Sequence, residues 1–212
     1  ERNLQKSLHT AYAFSAILSI VFTILGWALT PFLLKLIDTP ADTLADSILY
    51  LRIYFLGIFG TLIFNIGSAI MRSIGDSRRP LYYLIVCCFL NIILDLVLVI
   101  VFDMGIVGAA IATIISQAVS AILVTNALMK KYDDCKLYLS KLHIDLLKLR
   151  MEFRIGIPSA LQAFMYSITN IIIQAAINGF GTDTAAAWAS FGKLDALFWT
   201  VNGAFGIAIT TF

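Results

Sequence analysis

The residue best placed to do chemistry is Asp95, a carboxylate inside an apolar run with Leu94 before it and Leu96 after it. Asn91 lies one helical turn earlier and therefore on the same face of a helix. Ionisable residues within a membrane span are rare and mark ion or proton pathways. A carboxylate beside an amide oxygen can bind a proton or share a Na⁺ ion, so we expect an ion site here. The alternative is an aspartate that only hydrogen-bonds to neighbouring helices.

The following apolar run returns antiparallel after a turn near Met104 and brings further polar groups to the same depth. Asp95 lies nine residues before Met104 and Thr113 nine after it, so each lies roughly 13 Å from the turn at 1.5 Å per residue. Asn91 and Gln117 match in depth in the same way. We therefore predict a cation site of Asn91, Asp95 and Thr113, with Gln117 in the same cavity.

A second group of polar residues lies further along the chain, and its members recur every four residues on one helical face. They are Gln162, Tyr166, Asn170, Gln174 and Asn178. This face either lines a cavity or makes hydrogen bonds between helices, each worth about 1 kcal/mol or less. Lys193 lies deep in the next apolar run and is expected to pair with a carboxylate elsewhere.

The elements that carry these residues are predicted to be transmembrane helices. Of the 212 residues, 60% are hydrophobic and 13% are charged, against about 25% charged residues in an average soluble domain. Six apolar stretches are each long enough for a span of about 20 residues. They cover residues 11–34, 44–70, 81–102, 105–129, 155–179 and 185–212. The predicted fold class is all-α, a polytopic transmembrane helix bundle.

Positive charge predicts the orientation of these spans. If the spans alternate, 12 of the 15 Lys and Arg residues fall on one side of the membrane. The positive-inside rule then makes the N-terminal end, the Arg72 loop and the 130–154 segment cytoplasmic in a multi-pass cell-membrane protein. We predict a first bundle over 1–130, a cytoplasmic linker over 131–154 that includes a short surface helix, and a second bundle from 155 to 212. Because the chain starts without Met and stops inside an apolar run, we expect it to be a fragment.

Other kinds of chemistry find no support in the sequence. The three cysteines, Cys87, Cys88 and Cys135, have neither disulfide-framework nor metal-ligand spacing. His9 and His143 are expected at the surface, without a second metal ligand nearby. A phosphate-binding glycine loop, a nucleophile elbow and a basic tail are all absent from the sequence. We therefore expect no enzyme, no cofactor and no nucleic-acid partner.

Three motifs give the chain a family resemblance. They are Arg72-Ser-Ile-Gly-Asp-Ser-Arg-Arg-Pro80, Asn91-Ile-Ile-Leu-Asp95 and Met104-Gly-Ile-Val-Gly-Ala-Ala-Ile-Ala-Thr113. Together with Phe153-Arg-Ile-Gly-Ile-Pro158 and Gly181-Thr-Asp-Thr-Ala-Ala-Ala187, they resemble the multidrug and toxic compound extrusion (MATE) family of antiporters. The resemblance covers nearly the whole chain and is most specific from residue 72 to residue 117.

The resemblance implies part of a twelve-helix, two-lobe transporter, with this chain as helices three to eight. Such proteins export organic cations and amphipathic drugs in exchange for Na⁺ or H⁺, and the full-length protein is expected to be a monomer in the lipid bilayer. Asn91, Asp95 and Thr113 match the first-lobe cation site of the family, whose further Asp belongs to a helix outside this chain. Where some members carry an ion-binding Glu in the seventh helix, this chain has Tyr166, which gives Asp95 more weight.

A lipid-linked oligosaccharide flippase of related architecture is the nearest rival interpretation. A pyrophosphate-linked substrate would require more Arg and Lys in the cavity, whereas Lys193 is the one deep basic residue. An intramembrane enzyme would need clustered His, Ser or paired acids in the spans, and the sequence contains no such cluster. A structural or regulatory membrane protein would tolerate neutralisation of Asp95.

Overall fold

Six long α-helices make up most of the residues that this computed structural model describes, namely 2–36, 41–132, 136–178 and 182–211. The helices are α1 (Arg2–Leu36), α2 (Ala41–Ser73), α3 (Arg78–Asp95), α4 (Gly105–Lys130), α5 (Leu146–Asn178) and α6 (Thr182–Thr211). A π-helix, Leu96–Val101, continues α3, and a short 3₁₀-helix, Leu139–Lys141, precedes α5. The predicted all-α class is confirmed. Gly181, the first residue of one of the motifs, and Cys135 lie outside the described residues.

The chain divides into two compact units, Glu1–Lys148 and Leu149–Phe212. Helix α5 begins at Leu146, nine residues before the predicted start of the fifth span, so the predicted 131–154 linker is partly helical. The predicted surface helix in this linker is reduced to the single 3₁₀ turn. The first turns of α5 mix leucines, Leu146, Leu147 and Leu149, with charged residues. Such a composition is compatible with a helix, but its low hydropathy does not reveal where the helix begins.

Five of the helices in the described ranges are long and apolar enough to cross a membrane. They overlap the first five predicted spans, two of which end beyond the apolar helices, at 102 against Val101 and at 179 against Gln174. The sixth predicted span is also helical, as α6, but it is not among these five. Proline is present inside α1, at Pro31, and inside α5, at Pro158. Proline is tolerated within membrane helices because neighbouring groups satisfy the backbone carbonyl that it leaves without a donor.

Helices α2 and α4 pack closely side by side and run in the same direction. A Cβ atom added at three glycines of α2 would lie 3.1 Å or less from an α4 residue that is always 57 positions later. The glycines are Gly57, Gly60 and Gly67, and they face Ile114, Gln117 and Val124. The constant offset shows that the two helices are parallel and in register. At Gly60 the neighbouring atoms are backbone, which only a residue without a side chain accommodates.

The apolar core of the first unit lies where α1, α2 and α4 meet near the end of the unit that carries the α2–α3 turn. Met71, Val124 and Leu128 are fully buried there. A hydrogen bond of 2.5 Å joins the Tyr12 hydroxyl of α1 to the Thr125 hydroxyl of α4. We call this end of the unit the basic end, because Arg72, Arg78, Arg79, Lys130 and Lys131 lie at the helix termini there.

The segment before α5 is held against α1 by polar contacts at the basic end. The backbone N–H of Tyr138 donates to Nε2 of His9 over 3.2 Å, and His9 Nδ1 lies 2.7 Å from the Gln5 carbonyl oxygen. The Asp145 backbone N–H donates to the Thr10 hydroxyl over 3.1 Å. His9 is therefore buried, and its predicted surface position is wrong. Both ring nitrogens of His9 form hydrogen bonds with backbone groups.

Asp76 ties the α2–α3 turn to the end of α4. One carboxylate oxygen accepts the Arg79 backbone N–H over 3.1 Å, and the other accepts the Tyr132 hydroxyl proton and lies 3.1 Å from the Arg79 guanidinium. Burial opposes ionisation, but the hydrogen bond from Tyr132 and the contacts with Arg79 outweigh it and hold the pKa of Asp76 below its usual value. Burial, together with the hydrogen bond to Asp76, raises the pKa of Tyr132 to about 12.

Substitution of Asp76 by Asn is expected to loosen this turn. The loss of about one charged hydrogen bond, worth roughly 1 kcal/mol, should raise amide hydrogen exchange in residues 74–79 about five-fold at pH 7. Because the folded pKa of Asp76 is lowered, the stabilisation is present above the unfolded carboxylate value and is lost as the pH falls through the folded one. Tyr132→Phe, which keeps the contact with Arg79, should give a smaller rise. Equal exchange in wild type and Asp76→Asn would contradict the assignment.

Candidate functional site

A polar cavity of about 250 Å³ lies between α2, α3 and α4 in the first unit. Each of the three helices contributes hydroxyl, amide or thiol groups to its wall. The lining residues are Thr61, Phe64, Asn65, Leu84, Cys87, Cys88, Asn91, Thr113, Ser116, Gln117 and Ser120. Ionisable carboxylate, ammonium, guanidinium and imidazole groups are absent from this lining, so its polarity comes from neutral oxygen, nitrogen and sulfur atoms.

The hydroxyl groups in this wall use their protons within their own helices. Each donates to the carbonyl oxygen four residues earlier, over distances of 2.8–3.3 Å. The donors are Thr61, Thr113, Ser116 and Ser120. A hydroxyl that has donated its single proton still has oxygen lone pairs to offer. The hydroxyl oxygens of the wall therefore present acceptors to whatever occupies the cavity, whereas the amide groups of Asn65, Asn91 and Gln117 can present both acceptors and donors.

Asn91 and Asp95 carry polar atoms that are buried without a hydrogen-bond partner in the described part of the chain. These atoms are Nδ2 of Asn91 and Oδ1 of Asp95. Buried polar groups in proteins are nearly always satisfied, so each of these atoms is a candidate to bind a further group: Oδ1 of Asp95 can accept a proton or bind a cation, and Nδ2 of Asn91 can donate to an acceptor. Asn91 lines the cavity, whereas Asp95 is one turn further along α3 and is not part of the lining. The carboxylate is therefore adjacent to the cavity rather than inside it.

The helix changes type directly after Asp95. Residues Leu96–Val101 form a π-helix, in which the Phe102 N–H donates to the Val97 carbonyl over 3.0 Å. The Met104 N–H then reaches back to Leu98 over 3.0 Å, and Asp103 and Gly105 turn the chain with positive φ angles. π-Helical turns are rare and frequently occur at functional sites. Nothing in the apolar sequence 96–101 distinguishes a π-helix from an α-helix.

The structure brings together three of the four residues predicted to meet across the α3–α4 hairpin. Asn91, Thr113 and Gln117 share one cavity, and Asp95 lies a turn away. Sequence reasoning missed the contribution of α2, Thr61 and Asn65, and the Ser116 and Ser120 pair on α4. Both pairs have a spacing of four residues, the same signal that identified the polar face of the fifth span.

The polar residues predicted in the later spans belong to the second unit. Gln162, Tyr166, Asn170 and Gln174 lie on α5, and Lys193 lies on α6. All of them are exposed in the described residues, and Tyr166 has 57% of its surface accessible. Their role as cavity-lining residues therefore stays a prediction.

Arg52 is the basic side chain that projects from the middle part of α2. Its guanidinium lies 4.5 Å from the ring centroid of Trp27 on α1, which is within the range of a cation–π contact. This contact gives Arg52 a packing partner on α1, and Arg52 does not line the polar cavity.

Comparison with known proteins finds similar sequences and similar folds. The profile of the MatE family matches residues 1–97. The chain is 29% identical over 206 residues to the probable multidrug resistance protein YpnP of Bacillus subtilis, covering 92% of this chain and 43% of that protein. It is 27% identical over 172 residues to the multidrug export protein MepA of Staphylococcus saprophyticus, covering 81% of this chain and 38% of the relative.

Solved structures agree in fold. A MOP superfamily transporter from Pyrococcus furiosus superposes with a TM-score of 0.82 at 24% identity, over 98% of this chain and 50% of that one. An outward-facing multidrug resistance MATE family transporter superposes with a TM-score of 0.78 at 26% identity, over 87% of this chain and 42% of its own length.

The all-helical bundle and its apolar spans define a multi-pass membrane protein. The first 97 residues match the MatE family, whose members are transporters, and most of the chain is similar to multidrug resistance and export proteins. The chain spans about half the length of the curated relatives that it matches.

Proposed function

We propose that the protein containing this chain is an antiporter that exports organic cations and other amphipathic small molecules in exchange for Na⁺ or H⁺. The observation that carries the proposal is the unpartnered carboxylate oxygen of Asp95 beside a cavity whose hydroxyl groups present only acceptor lone pairs. A negative charge next to neutral oxygen ligands matches what Na⁺ or a transferable proton requires. The multidrug names of the relatives support small drugs as the substrate class.

Coupling would follow from a difference in ion affinity between two conformations. An ion can shift a conformational equilibrium only by as much as it prefers one state to the other. Neutralising Asp95 removes the cost of burying its charge, so the loaded ion would favour a conformation with the carboxylate enclosed among α3, α4 and their neighbours. The basic end would face the cytoplasm, because Lys and Arg accumulate on the cytoplasmic side of membrane proteins.

The flippase alternative gains no support from the cavity. A pyrophosphate group would require Arg or Lys side chains at the site, and the residues that line the cavity include neither. The proposed coupling ligands are Asn91, Asp95 and Thr113, with Gln117 in the same wall. The full-length protein is proposed to act as a monomer in the cell membrane.

The proposal is tested by transport under imposed gradients. The full-length protein is expressed in a bacterial strain that lacks its own exporters, and accumulation of a fluorescent organic cation such as ethidium is followed against an empty-vector control. A Na⁺ gradient and a pH gradient are applied separately. We expect one of the two to drive export, which then identifies the coupling ion. Accumulation equal to the empty-vector control under both gradients, with the protein present in the membrane, would refute the proposal.

A further inference from the structure

We infer that the cavity between α2, α3 and α4 is the basic-end half of a hydrated ion path to Asp95, closed in this structure by an apolar layer. The inference deepens the proposed antiport function and rests on it. It assigns a role to polar residues beyond the predicted ion ligands, above all Asn65, Ser68 and Ser120.

The position of the cavity along the helices sets the direction of this path. Its lining extends over eight residues of α3, from Leu84 to Asn91, and over eight residues of α4, from Thr113 to Ser120. At 1.5 Å per residue each stretch is roughly 10 Å long. Asn91 and Thr113 mark the end next to Asp95, and the opposite end points towards the basic end of the unit. The cavity thus covers part of the distance that an ion would travel.

The chemistry of the wall selects the kind of occupant. Because the lining hydroxyls have donated their protons to backbone carbonyls, their oxygens can only accept. The volume of about 250 Å³ corresponds to roughly eight water molecules at about 30 Å³ each. Waters bound to these hydroxyl oxygens donate to the protein and keep their lone pairs free. A chain of such waters that leads to the Asp95 carboxylate would carry a hydronium ion or a partly hydrated Na⁺ better than an anion.

Ser68 marks the continuation of the path beyond the cavity. It follows Asn65 by one turn of α2, it is 1% exposed, and its hydroxyl has no hydrogen-bond partner among the described residues. Met71, Val124 and Leu128 have no exposed surface, and they lie nearer the basic end along their helices than Ser68 and Ser120 do. In the proposed path these three side chains form the apolar layer that closes it.

Cys87 provides a natural probe, because it lines the cavity and is buried from the rest of the surface. The experiment uses the full-length protein with Cys88→Ser and Cys135→Ser, any further cysteines also replaced by Ser, in membrane vesicles of known orientation during turnover. Membrane-impermeant methanethiosulfonates, one cationic and one anionic, are added from the basic-end side. The Cys87 thiolate attacks the reagent sulfur, a mixed disulfide forms and methanesulfinate leaves. Mass spectrometry measures the rate.

The proposed path predicts that the rate of Cys87 modification depends on the charge of the reagent and on the residues of the cavity wall. We expect the trimethylammonium reagent to modify Cys87 at least about ten-fold faster than the sulfonate reagent, after correction for their rates with a free thiol, since a difference of 1.4 kcal/mol in entry gives that factor. Ser120→Leu should slow modification by a similar factor by filling the wall. Ser159→Leu is the matched control, because Ser159 is an exposed serine whose hydroxyl also bonds within its own helix.

Two results would overturn the inference. One is equal modification of Cys87 by both reagents in the protein that carries only the cysteine replacements. This measurement does not depend on whether the Ser120→Leu variant folds. The other is modification of Cys87 only by a lipid-soluble maleimide. Transport that requires Asp95 but leaves Cys87 unreactive would refute the path and keep the proposed function. Charge-selective labelling in a protein that exports nothing would refute the function and leave the cavity as a water-accessible site.

Discussion

Asp95→Asn is expected to abolish ion-driven export while leaving the protein in the membrane. Asparagine has nearly the same shape, but it neither ionises nor binds a proton, so the variant cannot change charge during a cycle. A coupling free energy of about 1–3 kcal/mol corresponds to roughly 5–150-fold, and we expect the upper part of that range. The measurement is ethidium export under the driving gradient, normalised to the amount of protein in the membrane.

The matched control is Asp103→Asn, the same chemical change eight residues further along the chain. Asp103 is exposed and has a φ angle of 53°, a conformation that Asn adopts readily. Export should therefore remain within about two-fold of wild type, as expected for a surface substitution. Normal export by Asp95→Asn would show that the carboxylate is structural. An equal loss of export in Asp95→Asn and Asp103→Asn would show that the effect does not depend on the proposed ion site at Asp95.

Gly60→Ala is expected to destabilise the first unit and to disturb its cavity. A Cβ atom at this position would lie 2.9 Å from the carbonyl carbon and oxygen of Gln117, and backbone atoms cannot rotate away. The two helices must separate, at a cost of about 1–3 kcal/mol for overpacking. We expect a melting temperature several degrees lower and a loss of export, because Gln117 lies in the cavity wall.

Gly156→Ala serves as the control for this substitution. A Cβ atom there meets no other atom within 4 Å, although Gly156 also lies inside a helix. Alanine is a better helix former than glycine by about 1 kcal/mol, so this variant should be as stable as wild type or more so. A Gly60→Ala protein that melts with wild type would mean that α2 and α4 are not packed at this distance.

The meeting of Asn91, Thr113 and Gln117 was predictable because one short turn connects their helices. Residues of α3 and α4 that are equally far from Met104 in the sequence lie at equal depth along the two helices. In an antiparallel hairpin, the remaining freedom is mainly the rotation of each helix about its own axis. Thr61 and Asn65 could not be placed in this way, because α2 packs against α4 through a contact between distant segments. The glycines of α2 allow that contact. Their pairing with α4 depends on which helix faces carry side chains small enough for the two backbones to approach each other. A single sequence does not reveal this choice.

The start of α5 was misplaced for a different reason. Residues 146–154 are too charged to belong to the apolar core of a membrane, so hydropathy assigned them to a linker. Helix formation follows backbone propensity and does not end where the hydrocarbon layer ends. Burial of His9 also escaped prediction, because its partners are backbone groups of a segment more than 120 residues away. A histidine near charged residues is predicted to be at the surface, and only the position of the segment around Tyr138 shows that His9 is buried.

The π-helix after Asp95 has a consequence for how this protein compares with its relatives. An i→i+5 turn holds one residue more than an α-helical turn, and each residue in an α-helix accounts for about 100° of rotation. A relative without this wide turn would reach the same α3–α4 hairpin with one residue fewer, and an alignment would show a single-residue gap within a hydrophobic segment. Deletion of one residue from 96–101 would then be tolerated, because the wide turn would become an α-helical turn and Asp95 would keep its direction relative to Met104. The variable part of this helix is therefore its length rather than its phase.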